Sequence, residues 1–362
     1  MSPFAQWGVL PTFLLGEHAI LLAAILALVH AVRRDRAHVV VFFAALIAGT
    51  ANDLIFMALP LVDNFWHAQA TWMITPRLPA YIPALYVLFM YYPTVAASRF
   101  GLSRWQTAAL AGLVAVVTYA PFDIVGAKFL WWTWHDTDVP IRARLLGVPT
   151  SSTLWVLTFT GAFAFLASPL LRAGEAPTPR ASALALVRVA GLTTLVMMLQ
   201  MVPLQRLDGG APGYVALGTG LAIYALVAGL GLRNATWPSE RERLPLGAIL
   251  LYLATLAVCI TGFDPRTHRS TGVHEQVGPC DAEATDITGA KRRAYLCASD
   301  FDEDYSFECT TPPASGARWY TICGKPFRDR GLWISVVLSL TATAAAIYVA
   351  TFGRARSTRT SG

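Results

Sequence analysis

Asp53 and Asp123 each lie inside a run of apolar residues, and an ionisable group in such a run is costly unless it faces a cavity or a partner. A carboxyl in a low-dielectric pocket holds its proton to higher pH, so either aspartate could serve as general acid or base near neutrality. Just beyond Asp123 the chain reads Lys128, Trp131, Trp132, Trp134, His135, Asp136, Asp138, Arg142 and Arg144. Indole rings beside charge mark a membrane–water boundary, because the ring is apolar while its N–H needs a polar partner. The candidate catalytic residues are Asp53, Asp123, His135 and Asp136. The candidate substrate contacts are Asn52, Tyr81, Tyr86, Trp131, Trp132, Trp134, Lys128 and Arg77. Glu17, His18 and His67 belong to the same level of the chain, and together these residues predict a polar, aromatic cavity that opens outward.

Each residue also has a structural reading. Asp53 could pair with Arg77 or Lys128 and lock helices together. The tryptophans could form an interfacial belt. His18 and His30 sit close enough to span ends to be boundary residues. Gly218, Gly220, Gly229 and Gly231 suit close helix packing, and Pro60, Pro83, Pro93 and Pro121 would kink or end helices.

The elements that must position these groups follow from composition. Of 362 residues, 55% are hydrophobic and only 14% charged, and the mean hydropathy is +0.49, which describes a polytopic membrane protein. Nine apolar stretches approach the roughly 20 residues needed to cross a bilayer: 11–32, 39–62, 78–97, 107–127, 149–171, 187–204, 214–232, 246–263 and 332–352. The fold class is therefore all-α, a helix bundle. Arginines crowd the connections after odd-numbered spans (Arg33, Arg34, Arg36; Arg99, Arg104; Arg172, Arg180; Arg233, Arg241, Arg243) and the tail (Arg354, Arg356, Arg359). The positive-inside rule then puts the amino terminus outside and the carboxyl terminus in the cytoplasm. The scarcity of lysine points to a GC-rich bacterium and hence to its inner membrane. No base precedes the first apolar run, so that run is expected to stay as a span and not be cleaved. The net charge of +6 is explained by this topology, with no nucleic acid implied.

The division expected is 1–263 as eight spans, 264–331 as a small extracytoplasmic domain, 332–352 as the ninth span and 353–362 as a tail. The domain carries Cys280, Cys297, Cys309 and Cys323. A segment so short buries too little apolar area to fold unaided, and an oxidising compartment favours two disulfides, in any of three pairings. Zinc is disfavoured because no Cys-x-x-Cys pair is present. Asp300, Asp302 and Asp304 match the first ligands of a calcium loop, but Tyr305 stands where a glycine is needed and Thr311 where a glutamate is needed. No metal and no cofactor is indicated, and no nucleotide, metalloprotease or nucleophile-elbow motif occurs.

The order Asp123, Trp132 and Trp134, Gly147-Val148-Pro149 and Trp155 resembles the signature region of multi-pass carotenoid-biosynthesis membrane proteins, which include carotenoid hydratases. Ser151 or Ser152 stands where that family has an asparagine. The resemblance implies an acid that protonates an isoprenoid double bond, water that traps the cation, and aromatic faces that stabilise it. As a whole the chain is also similar to uncharacterised multi-pass proteins with a disulfide loop before the last helix. Three functions stay open: an enzyme acting on a lipid or isoprenoid, a proton-coupled carrier using Asp53 and Glu17, and a non-catalytic protein whose ectodomain binds an extracytoplasmic partner. The carrier is weakened by the lack of an internal repeat.

Overall fold

The computed structural model describes residues 1–58, 65–134, 141–173, 176–273, 277–279, 282–285, 291–293, 296–297, 305–311, 314 and 316–353. A short helix α1 (Pro3–Val9) precedes α2 (Pro11–Arg34) and α3 (Arg36–Ala58). Strand β1 (Phe65–His67) leads to α4 (Tyr81–Tyr86), which passes through a π turn (Val87–Tyr91) into α5 (Tyr92–Ser98). Helix α6 (Arg104–Lys128) is followed by β2 (Trp132–Trp134), the hairpin β3 (Arg144–Leu145) and β4 (Val148–Pro149), and α7 (Thr150–Arg172). Then come α8 (Pro179–Gln205), α9 (Tyr214–Leu232) and α10 (Arg243–Gly262). The cysteine-bearing segment holds β5 (Arg269–Val273), β6 (Val277–Gly278), β7 (Glu283–Thr285), β8 (Lys291–Arg293), β9 (Leu296–Cys297), β10 (Tyr305–Ser306) and β11 (Trp319–Gly324). Helix α11 (Arg330–Tyr348) closes the bundle.

Among the described residues eight helices are long and apolar enough to cross a membrane: α2, α3, α6, α7, α8, α9, α10 and α11. The chain is an all-α membrane bundle. The stretch expected as the third span, 78–97, is not one α-helix but the relay α4–π turn–α5, and every residue from Tyr81 to Ala97 is buried. Its irregularity has a local cause. Pro93 has no N–H to give the Phe89 carbonyl one turn back, and that carbonyl accepts the Thr160 hydroxyl of α7 instead, at 2.9 Å. The relay packs between α2, α3, α6 and α7, whereas α8 and α9 lie on the outside with long exposed apolar faces.

The ends of the helices meet the cysteine-bearing segment on one face. β1 pairs antiparallel with β2, Phe65 opposite Trp134 and His67 opposite Trp132. The strap after β1 is joined to β5 by the Ala68–Gly272 bridge and by the Gln69 N–H, which donates to the Thr271 carbonyl at 2.8 Å. β5 is an edge of the antiparallel sheet β10–β11–β5. A disulfide joins Cys309 to Cys323, a bond that belongs to one of the three pairings allowed by sequence. Cys297 lies in β9, while Cys280 and the acidic run Asp300, Asp302 and Asp304 fall outside the described residues. Cys259 is a free, buried thiol of α10.

Candidate functional site

The tryptophans are delivered by the end of α6. Leu130 takes a left-handed conformation (φ 62°), the Leu130 N–H donates to Ala127 and the Trp131 N–H to Gly126 at 2.8 Å, the paired bonds of a Schellman cap. Glycine usually fills that position. Leucine there costs about 1–2 kcal/mol of backbone strain, offset by a side chain that is itself fully buried. The cap turns Trp131 back onto α2, where its Nε1 donates to Thr12 Oγ1 at 3.1 Å and its ring stacks on Phe13. Gly16 leaves the notch this ring occupies, and Gly126 does the same for Trp132.

Tyr81 lies at the centre of the site. Its ring contacts Phe13, His67 and Phe122, and its hydroxyl is within electrostatic reach of Asp53, Glu17 and Asp123. Asp53 comes from α3 and Asp123 from α6. Asp53 Oδ1 accepts the Tyr86 hydroxyl at 3.3 Å, and Oδ2 stands 3.9 Å from His67 Nε2. Asp123 Oδ2 accepts the Ser152 hydroxyl of α7 at 2.5 Å. Buried atoms with no hydrogen-bond partner gather around them: Asp53 Oδ2, Asp123 Oδ1, the Tyr81 hydroxyl, both His67 nitrogens, and the indole nitrogens of Trp132, Trp134 and Trp155. Burial pushes the His67 imidazole down to about 3, with the charge on Arg77 acting in the same direction, so it is neutral at physiological pH.

Glu17 behaves differently. Its carboxylate accepts the Thr71 and Trp72 N–H groups at 3.0 and 3.1 Å and the Gln6 amide at 3.4 Å, which ties α1 and the strap to α2. Asn52 Oδ1 accepts the Thr194 hydroxyl of α8 at 3.4 Å. Arg77 donates to the Met57 carbonyl at the end of α3 at 3.2 Å, close to Asp53 and His67. Lys128 is directed to the cysteine-bearing segment: its Nζ donates to the Pro326 carbonyl at 3.2 Å and lies over the rings of Phe327 and Trp333. His135, Asp136 and Asp138 lie outside the described residues. Trp155, which the sequence marked only through the resemblance, and Tyr119, which it did not single out, line the Tyr86 and Phe122 side; the bond from Ser152 to Asp123 was also not foreseen. The only signal for Ser152 was its position just after the Gly-Val-Pro turn. Among the described residues no group of three or more His, Cys, Asp or Glu side chains is placed to hold a metal.

The model of the family described as a domain of unknown function, DUF7802, matches residues 5–173 and 233–352. The chain belongs to that family. The matched residues hold every group of the site just described except Thr194, and the unmatched interval contains the peripheral helices α8 and α9. No curated protein and no solved structure matches the chain. The kinship is thus with an uncharacterised family, and it adds nothing to the resemblance to carotenoid-biosynthesis proteins.

Proposed function

We propose that the chain is a membrane enzyme that moves a proton on a lipid or isoprenoid substrate, with Asp53 and Asp123 as the acid–base pair. The observation that carries this reading is the set of unpaired buried polar atoms around Tyr81. Each such group forfeits about 1–3 kcal/mol if nothing bonds to it, so a purely hydrocarbon occupant would leave the pocket unstable. The substrate therefore presents a polar group to Asp53, Asp123 and Tyr81. Its apolar part lies against Phe13, Phe122 and Trp132. Ser152 and Tyr86 orient the two carboxyls, each leaving one oxygen for the substrate.

In this reading residues 264–331 form an extracytoplasmic domain above the site, the amino terminus is outside and the membrane is a bacterial inner membrane. The arginine distribution supports that orientation.

A carrier is the second reading, favoured by one observation. Tyr81, Tyr86 and Tyr91 recur every five residues along the relay, and the Tyr91 hydroxyl meets His30 Nδ1 at 2.8 Å at the far end, where His30 Nε2 contacts Glu242 at 3.0 Å. Polar contacts thus occur at both ends of the relay, as a carrier would need, and π turns recur at functional sites.

The test compares lipid and pigment extracts from cells with and without the chain and with Asp53→Asn or Asp123→Asn. An enzyme changes a lipid species, and both variants abolish the change while retaining the wild-type melting temperature. An unchanged profile with wild-type protein refutes the enzyme. Proton-dependent uptake into proteoliposomes, lost in the same variants, would then establish the carrier.

A further inference from the structure

The opposite end of the bundle holds a second unusual group of charges. Arg104 opens α6, the helix whose other end carries Asp123, and Arg172 closes α7, the helix whose other end carries Ser152. Arg104 Nε donates to the Phe165 carbonyl at 2.5 Å, and its guanidinium lies 3.7 Å from the centre of the Phe165 ring. Arg172 donates to the Leu102 carbonyl and, through Nη2, to Ser168 Oγ at 3.1 Å. Arg188 of α8 is exposed and within electrostatic reach of Arg104, as is Arg172.

Like charges gathered this way repel unless an anion sits among them. At the same end of the bundle Arg34 and Arg99 are neutralised, by Glu240 and Glu242. Among the described residues Arg104, Arg172 and Arg188 have no carboxylate partner. Carbonyl and ring contacts hold Arg104 and Arg172 in place, so little side-chain freedom is left to lose on binding. Around them lie exposed apolar side chains: Trp105, packed 4.4 Å from Phe165, and Leu184 and Val187 beside Arg188. Guanidinium groups at the rim of an apolar face are the chemistry that grips a phosphate ester.

We propose that Arg104, Arg172 and Arg188 form a binding site for a phosphate ester anion, remote from the pocket at Asp53 and Asp123 and independent of what that pocket does. The anion is either a phospholipid headgroup or a soluble phosphate compound. Helix α8, outside the residues matched by the family, completes the site through Arg188.

The test reconstitutes the full chain in nanodiscs of phosphatidylcholine with or without phosphatidylglycerol and counts retained lipids by native mass spectrometry. The wild-type chain retains phosphatidylglycerol. R104Q/R188Q binds it roughly thirtyfold more weakly, two basic contributions at a membrane surface, while R233Q/R241Q, which removes equal charge elsewhere, binds as wild type. Inorganic phosphate is added in pure phosphatidylcholine as the second arm. A thermal shift there that is lost in R104Q/R188Q assigns the soluble anion, and lipid retention without such a shift assigns the headgroup. Equal retention by R104Q/R188Q, equal loss in R233Q/R241Q, or no response to either probe overturns the proposal. If R104Q/R188Q melts below wild type in pure phosphatidylcholine, R188Q alone replaces it, with an expected weakening of roughly fivefold.

Discussion

Gly49→Ala should destabilise the protein although alanine is the better helix former. In an exposed helix interior the exchange gains about 1 kcal/mol. At position 49 of α3, however, the added methyl would overlap Cβ and Cγ of Tyr86, which is itself buried among Phe89, Trp155 and Phe159. The ring would have to retreat by roughly 1.5 Å to reach the ~3.5 Å of ordinary carbon–carbon contact. Overpacking of this kind costs about 1–3 kcal/mol, so the net change is a loss of up to about 2 kcal/mol. The same displacement breaks the bond from the Tyr86 hydroxyl to Asp53, already 3.3 Å long. Gly218→Ala in α9 is the control, since nothing lies within 4 Å of its added methyl, and it should be neutral or stabilising. The assay is thermal unfolding in nanodiscs, completed by a double-mutant cycle with Tyr86→Ala, in which the penalty of Gly49→Ala should shrink with the ring gone but not vanish, because Cβ of residue 86 still overlaps the added methyl. Equal stability of Gly49→Ala and Gly218→Ala would refute the close packing of α3 on Tyr86.

Acid should destabilise the fold through two histidines. Burial depresses His67 to about 3 and His268 to about 4, so between those values and about 6.5 the unfolded chain binds protons that the folded chain does not, and stability falls as pH falls. At pH 5 the loss approaches about 2 kcal/mol for each; unfolding measured from pH 7.5 to 5 should be flatter in His67→Asn and His268→Asn, and equal slopes in variants and wild type would contradict this. Cys309→Ser with Cys323→Ser opens a loop of 14 residues and should cost about 3 kcal/mol of stability. Because β11 pairs with β5 and β5 with the strap behind His67, hydrogen exchange in 65–70 should rise as well, and unchanged protection there would disconnect the sheet from the site. Ser152→Ala should leave the helices folded but weaken any activity that depends on Asp123, measured beside Asp123→Asn in the lipid-extract assay.

The spans were legible because twenty apolar residues have few alternatives to crossing a bilayer. The relay through Val87–Tyr91 was not, since the effect of Pro93 depends on a hydroxyl supplied to the Phe89 carbonyl by Thr160, seventy-one positions beyond Phe89 along the chain. The common level of Asp53, Asp123 and Tyr81 could be inferred from their distance to span ends. Their convergence could not, because it depends on helix rotation and on glycine notches at Gly16, Gly49 and Gly126 that fit particular rings. Lys128 stands among the tryptophans in sequence, yet Phe327 and Trp333, near the start of α11, turn it toward the cysteine-bearing segment. The pairing of Cys309 with Cys323 likewise needed the register of β10 on β11.

Glu17 and Asp53 make the general point about buried carboxyls. Both are acids near the end of a span, and nothing in their local sequence separates a structural role from a chemical one. Partners do. Glu17 accepts three donors from Gln6, Thr71 and Trp72, and a carboxylate so engaged serves as a staple, because those bonds hold α1 and the strap in place. Asp53 accepts one hydroxyl and keeps an unpaired oxygen 3.9 Å from a neutral imidazole. Asp123 repeats the pattern with Ser152. That difference in partners is what supports the proposal of Asp53 and Asp123, and not Glu17, as the acid–base pair.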